Sequence, residues 1–193
     1  MLTLRSKGSD YHHGDLHTSA IAAGRDFVAK GGVHAIGIRK VAEKIGVTPT
    51  ALYRHFEDLN AFQNAISLSI RDDLGDFMES ESQSIKNPKK RLVALGGAYI
   101  DFAAKNPRLF EMAFLWCESS EAPEPQGKAW ELLQSSIQQL GVRRATGLDL
   151  ALWSLVHGFA TLVAQGTIRK SEFQPQRNLI LNTSKKLADA YLA

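Results

Sequence analysis

Apolar residues recur three and four positions apart along almost the whole chain, and nowhere do they alternate with polar ones over a strand's length. That spacing lines one face of a helix and gives a sheet nothing to build on. Composition agrees where it bears on the choice. Ala and Leu occur 23 times each, against 27 for Val, Ile and Thr together; the first pair favours helix, the β-branched set strand. The expected fold class is all-α, with about nine helices.

A length of 193 residues allows one large or two small domains around a sizeable core. The single cysteine, Cys117, has no internal disulfide partner and fits a reducing compartment. No basic segment leads into an apolar stretch near the N-terminus, so no signal peptide is expected. The longest apolar run, Leu150 to Val163, is too short to span a bilayer and is interrupted by His157. A cytoplasmic protein with no membrane partner is the expectation.

Residues 1–10 are polar and read as an arm. Leu16, Ala20, Ala23 and Phe27 share a face of a first helix from about Gly14 to Lys30, which Gly31-Gly32 stops. Ile38, Val41, Ala42 and Ile45 mark a two-turn second helix. Gly46 turns the chain, Thr48 is a good N-cap, and Pro49 suits a first helical position whose N–H would be unpaired anyway. This third helix is expected to end near Phe56. Asp58 caps a longer fourth helix with Leu59, Phe62, Ile66 and Ile70 on one side; Asp72, Asp73, Asp76, Glu79 and Glu81 read as its solvated face. Asn87-Pro88 opens a fifth helix, and Asn106-Pro107 ends it and opens a sixth, Arg108 to Cys117. Glu118 to Gln126 reads as a loop. Trp130, Leu133, Ile137 and Leu140 mark a seventh helix. The eighth, about Gly147 to Gln165, is apolar nearly all round, so it must be covered on most sides by core or by another subunit. Gln174-Pro175 is expected to precede a last helix carrying Leu181, Ser184, Leu187, Ala188 and Tyr191.

The segment from Ile38 to Phe56 has the anatomy of a helix-turn-helix. Ala42 is small where two helices would cross, and Gly46 accepts the positive φ of a tight turn. Val41, Ile45, Val47 and Leu52 are placed to lock the interhelical angle. The start of the second helix is then free to enter a DNA major groove. Charge supports this. Residues 1–56 hold eight Lys or Arg and four Asp or Glu, a net of +4, whereas residues 57–193 hold fifteen and sixteen. The positive balance belongs to the part that would face an anion.

This segment resembles the DNA-binding domain of TetR-family transcriptional regulators: a first helix ending in glycine, the helix-turn-helix, then Leu52-Tyr53-Arg54-His55-Phe56. The opening Tyr11-His12-His13-Gly14-Asp15-Leu16 is similar to the start of one subset of that family. Trp153-Ser154-Leu155-Val156-His157-Gly158 resembles the signature of the matching WHG-type C-terminal domain. One position departs from the pattern. Leu59 stands where family members usually carry a lysine that contacts phosphate, and Glu57 and Asp58 beside it oppose an anion at that helix start.

The resemblance and the helix-turn-helix geometry together imply roles. Residues 1–58 would bind DNA, and residues 59–193 would bind a ligand and dimerise. Arg39, Thr48, Pro49, Thr50 and Ala51 sit at the starts of the two motif helices; of these Arg39 would reach guanine, and Thr50 and Ala51 a thymine methyl or an acceptor. Tyr53, Arg54 and His55 would hold phosphates, setting register without reading sequence. Arg5 and Lys7 would reach the minor groove or backbone, and His13 a phosphate. Lys40 and Lys44 read as solvated. The implied inducer pocket lies among the fifth to eighth helices, with Phe102, Phe114, Trp116, Trp130, Trp153 and His157 nearest. His157 also reads as a core histidine. The implied partners are a double-stranded, palindromic operator, a small-molecule effector and a second copy of the chain, joined through the last two helices.

Two other classes fit part of the sequence. An architectural or scaffolding helical factor, with no small-molecule effector, would bind DNA or a partner with little sequence preference. An enzyme would have to use Cys117 or His157 with an acid such as Asp149. A neighbouring acid such as Glu118 would raise the thiol pKa of Cys117, and Asp149 and His157 stand eight apart, over two helical turns. No glycine-rich phosphate loop or paired carboxylate points to catalysis or to a cofactor. His13 and His17 have the four-residue spacing of metal ligands but no third ligand near in sequence, so no metal is expected.

Overall fold

The computed structural model describes residues 13–115, 127–141 and 147–192. Within them the chain runs α1 (His13–Gly31), a 3₁₀ turn (Val33–Ala35), α2 (Ile38–Ile45), α3 (Pro49–Tyr53) and α4 (Leu59–Ser82). It continues through α5 (Pro88–Lys105), α6 (Pro107–Ala113), α7 (Gly127–Gln139), α8 (Leu148–Ala164) and α9 (Lys170–Ala190). No strand occurs among the described residues. Arg5, Lys7, Trp116, Cys117 and the loop expected at 118–126 lie outside them.

Local chemistry sets most helix ends. Asp58 accepts the N–H of Ala61 at 2.7 Å, and Asn87 that of Lys90 at 3.0 Å with Pro88 in the first helical position. Asn106 serves two helices: its N–H closes α5 on Phe102 O at 2.9 Å, while its carbonyl accepts from Phe110 at 2.8 Å to open α6.

Four expectations need correction. α3 ends at Tyr53, because Leu52 O takes the N–H groups of both His55 and Phe56 and turns the chain to bury Phe56. α6 ends at Ala113, because the carbonyl that would extend it accepts from Ser67 and Arg71 of α4 instead. α9 begins at Lys170 and carries Pro175 inside it. The proline forfeits one backbone bond, while Phe173 in the added turn packs against the core. The acidic side of α4 is not simply solvated, since Asp73 pairs with Arg25 of α1, and Asp76 and Glu79 with Lys128 of α7.

α4 is the spine, packed on α1, α5, α6 and α7. One apolar core cluster runs without a break from Ala20 and Val28, through Phe62, Ile66 and Ile70, to Ile100, Phe110 and Leu181. α1 and α4 lie close together at Gly24, where a Cβ would press on Ile66 Cδ1 and Phe62 Cζ. α8 buries Leu148, Leu152, Phe159 and Ala160 but leaves Leu150 60% and Leu162 42% exposed; Leu179 on the neighbouring α9 is 64% exposed. The single chain leaves each of these leucines open.

Candidate DNA-binding face and ligand cavity

The turn between α2 and α3 follows from Gly46, which sits in the left-handed region at φ 73° and ψ 30°. There Val47 N–H reaches back to Ala42 O at 2.9 Å and Gly46 N–H to Glu43 O at 3.2 Å, closing α2 with a Schellman pair. Val41, Ala42 and Leu52 are wholly buried at the crossing. Thr48 accepts the N–H of Ala51 at 3.3 Å and so caps α3, with Pro49 next. Its hydroxyl keeps a proton to donate.

Burial then divides the motif. Arg39, Lys40, Thr48, Pro49, Thr50, Tyr53 and Arg54 are exposed, and Ala51 and His55 half-buried. Phe56 is buried between the rings of His17 at 4.9 Å and Phe62 at 4.7 Å. His17 is thereby a packing partner of the motif. His13 is the first residue of α1. Lys44, expected in solvent, pairs with Asp26 at 2.6 Å and lies over the Phe27 ring. It pins α2 to α1, and its hydrogen bond and charge hold the Asp26 carboxyl below the usual carboxylate range. Leu59 opens α4 at 39% exposure, and the Asp58 cap already occupies one N–H of that helix start.

A second site lies among α5, α7, α8 and α9. A cavity of about 40 Å³ is walled by residues including Leu92, Tyr99, Leu133, Trp153, Val156 and His157. It holds no more than a few waters. Tyr99 Oη and His157 Nδ1 are 2.7 Å apart. Burial pushes the Tyr99 phenol well above its ordinary pKa and lowers that of His157, so both are neutral near pH 7. Trp153 stacks on His157 one turn away, at 5.9 Å and 10° between planes, and Phe114 meets the same ring edge-on at 4.7 Å. Trp130 abuts Trp153 at 5.6 Å. Of the residues expected here, Trp153 and His157 are therefore in the wall, with Phe114 and Trp130 against it. Phe102 is buried elsewhere, beside Phe77 at 6.1 Å.

Three elements carry no clear signal in the sequence. Tyr99 meets its partner His157 only across 58 residues. Ser67 Oγ and Arg71 Nε of α4 both donate to Ala113 O, at 2.9 and 2.6 Å, and the Arg71 guanidinium lies over Phe114. Their four-residue spacing beside the Ile66–Ile70 stripe was the available signal. Arg108, at the start of α6, donates to the carbonyls of Ala29 and Lys30 at the end of α1. A continuous set of contacts thus leads from the cavity through Phe114 to α4, and from α6 to α1.

Known proteins agree with this organisation. The family profile described as bacterial regulatory proteins, tetR family, matches residues 20–62, and that described as tetracyclin repressor-like, C-terminal domain, matches residues 92–179. An uncharacterized HTH-type transcriptional regulator, YobS of Bacillus subtilis (strain 168), is 24% identical over 155 residues, 79% of this chain and 81% of the relative. A TetR family transcription regulator from Marinobacter aquaeolei VT8 shares the fold at a TM-score of 0.63 and 18% identity, covering 89% of this chain and 94% of that one. A TetR variant from Acinetobacter baumannii AYE, solved in complex with minocycline, does so at 0.61 and 17%, covering 90% and 94%. The two profiles fall on the helix-turn-helix and on the helices that wall the cavity, and the chain belongs to the TetR family of transcriptional regulators, DNA-binding proteins rather than enzymes.

Proposed function

We propose that the chain is a ligand-responsive repressor that binds a palindromic operator as a homodimer in the cytoplasm. Residues 1–58 read DNA, and residues 59–193 hold the effector and the partner subunit. The observation that carries this reading is the contact path from the cavity wall to α4, because it gives an occupant of the cavity a mechanical route to the DNA-binding helices. The minocycline complex of a protein with the same fold adds support.

In this reading α8 and α9 pair with their symmetry mates, covering Leu150, Leu162 and Leu179. Two-fold symmetry sets the recognition helices about 34–36 Å apart, one DNA turn. Arg39, Thr50 and Ala51 meet base edges, while Tyr53, Arg54 and His55 meet phosphate. An effector that widens the cavity displaces His157 and Phe114, and with them the Arg71 clasp and α4. Because Gly24 lets α4 lie directly on α1, a tilt of α4 carries the DNA-binding helices with it. The effect cannot exceed the effector's differential affinity for the two states, typically about 1–3 kcal/mol.

The test is selection of bound DNA from a random duplex library at near-physiological salt, followed by sequencing. The expected result is one palindrome with half-sites a turn apart. Retention without a motif would favour an architectural DNA-binding factor instead.

A further inference from the structure

We propose that the cavity, on widening from its closed volume of about 40 Å³, takes an uncharged, largely apolar small molecule bearing one hydrogen-bond acceptor, which His157 Nε2–H engages. This rests on the ligand-responsive reading above and names the chemistry of the effector.

The wall decides the charge. Among the described residues its polar side chains are Tyr99, Ser184 and His157, with the indole of Trp153, and none is Asp, Glu, Lys or Arg. Ser184 Oγ is committed to Ile180 O at 3.0 Å. A carboxylate or ammonium entering this site would leave water without gaining a counter-charge. Arg71 influences the ionisation of Tyr99, yet it is not part of the wall; its Nε is bound to Ala113 O and its guanidinium covers Phe114.

The Tyr99–His157 pair decides the polarity of the one polar contact. Tyr99 is 2% exposed, and His157 Nδ1 is the hydrogen-bond partner of its hydroxyl. If Nδ1–H donated to the phenol oxygen, the phenol proton would be left buried with no acceptor among the described residues. The phenol therefore donates to Nδ1, and the neutral imidazole carries its proton on Nε2. Nδ1 is thus engaged by Tyr99, and because His157 is a wall residue its Nε2–H is left for an occupant of the cavity. Trp153 on one face and Phe114 at the edge hold the ring plane, so this is a donor of fixed direction in an apolar wall. Such a donor selects a carbonyl, ester or ether oxygen, and the surrounding leucines and aromatics select an apolar body.

The test is isothermal titration calorimetry of the full-length protein at pH 7.5 with methyl benzoate, benzoate, benzylammonium and propylbenzene. Methyl benzoate is expected to bind about tenfold or more tighter than either ion, and roughly five- to tenfold tighter than the hydrocarbon. His157→Phe should equalise ester and hydrocarbon while hydrocarbon binding persists. His157→Gln, which restores an N–H donor, should recover part of the preference and guards against a merely structural effect. Benzoate or benzylammonium binding as tightly as the ester would overturn the proposed ligand class and leave the ligand-responsive reading standing. An ester preference unchanged in His157→Phe would overturn the role of Nε2. No heat with any of the four, up to their solubility, would remove the cavity as a site and the effector half of the earlier reading with it.

Discussion

Arg71 Nε donates to the carbonyl of Ala113 at 2.6 Å, from one helix to the last turn of another 42 residues away in sequence. Ser67 Oγ shares that acceptor at 2.9 Å. The carbonyl ends α6, where its own helix offers no partner. Two helices are thus joined at a point that the cavity wall also touches, through Phe114.

Removing this clasp has a measurable cost. Arg71→Met keeps the apolar stem and deletes the donors, and should lower stability by about 1.5–3 kcal/mol, the range for a hydrogen bond from a charged group. Urea denaturation monitored by circular dichroism measures it. Arg71→Lys should lose less, since an ammonium can still donate once. An unchanged midpoint in Arg71→Met would mean that Ser67 alone holds α6.

On the DNA face, Tyr53→Ala and Arg54→Ala should weaken binding to all duplexes by similar factors. Arg54→Ala should also reduce the salt slope by about one. Thr50→Val should instead alter preference at one or two base pairs. Binding isotherms on the selected operator and on single-base variants separate the two classes. A uniform loss of affinity in Thr50→Val would end its assignment as a base reader.

Acid should destabilise the chain through His157. Burial sets its folded pKa below the ordinary value of 6.5. Above that value the imidazole is neutral in both states and has no pH effect. As pH falls below it, the unfolded chain binds the proton first, so stability declines until the folded imidazole titrates too. Asp26 and Asp189, with carboxyl pKa values lowered by Lys44 and Lys89, act lower, as pH drops through the carboxylate range. Denaturation midpoints at pH 7.5, 6.5 and 5.5 should therefore fall for the wild type and fall less for His157→Gln. Parallel declines in the two proteins would rule the histidine out as the source.

The exposed leucines of α8 and α9 give a direct test of the homodimer. Leu162→Arg with Leu179→Arg places charge on the exposed faces of α8 and α9, where neither residue supports the core of its own chain. Sedimentation velocity should show the wild type as a dimer and the double variant as a monomer. Operator affinity should drop at least about a hundredfold, because each half-site then binds alone. A dimer that survives both arginines uses another face.

Much of the fold was legible because its signals are local. Gly46, Thr48 and Pro49 bend and cap the chain through bonds to atoms at most five residues away, and Asp58, Asn87 and Asn106 do the same at other helix ends. Where local reading erred, a distant group intervened. α6 stops early because α4 takes its last carbonyl, and α9 runs past Pro175 because Phe173 finds the core. Lys44 reads as solvated until Asp26 is placed beside it.

The sequence by itself determined the all-helical class, the helix-turn-helix and its exposed residues, since each depends on spacing, caps and a single positive φ. Tertiary structure decided the cavity and its connection to α4. Tyr99 meets His157 across 58 residues, and Ser67 meets Ala113 across 46. Such pairs depend on how helices cross and how closely they approach, which is set by the packing of the whole core at once rather than by any local run of residues.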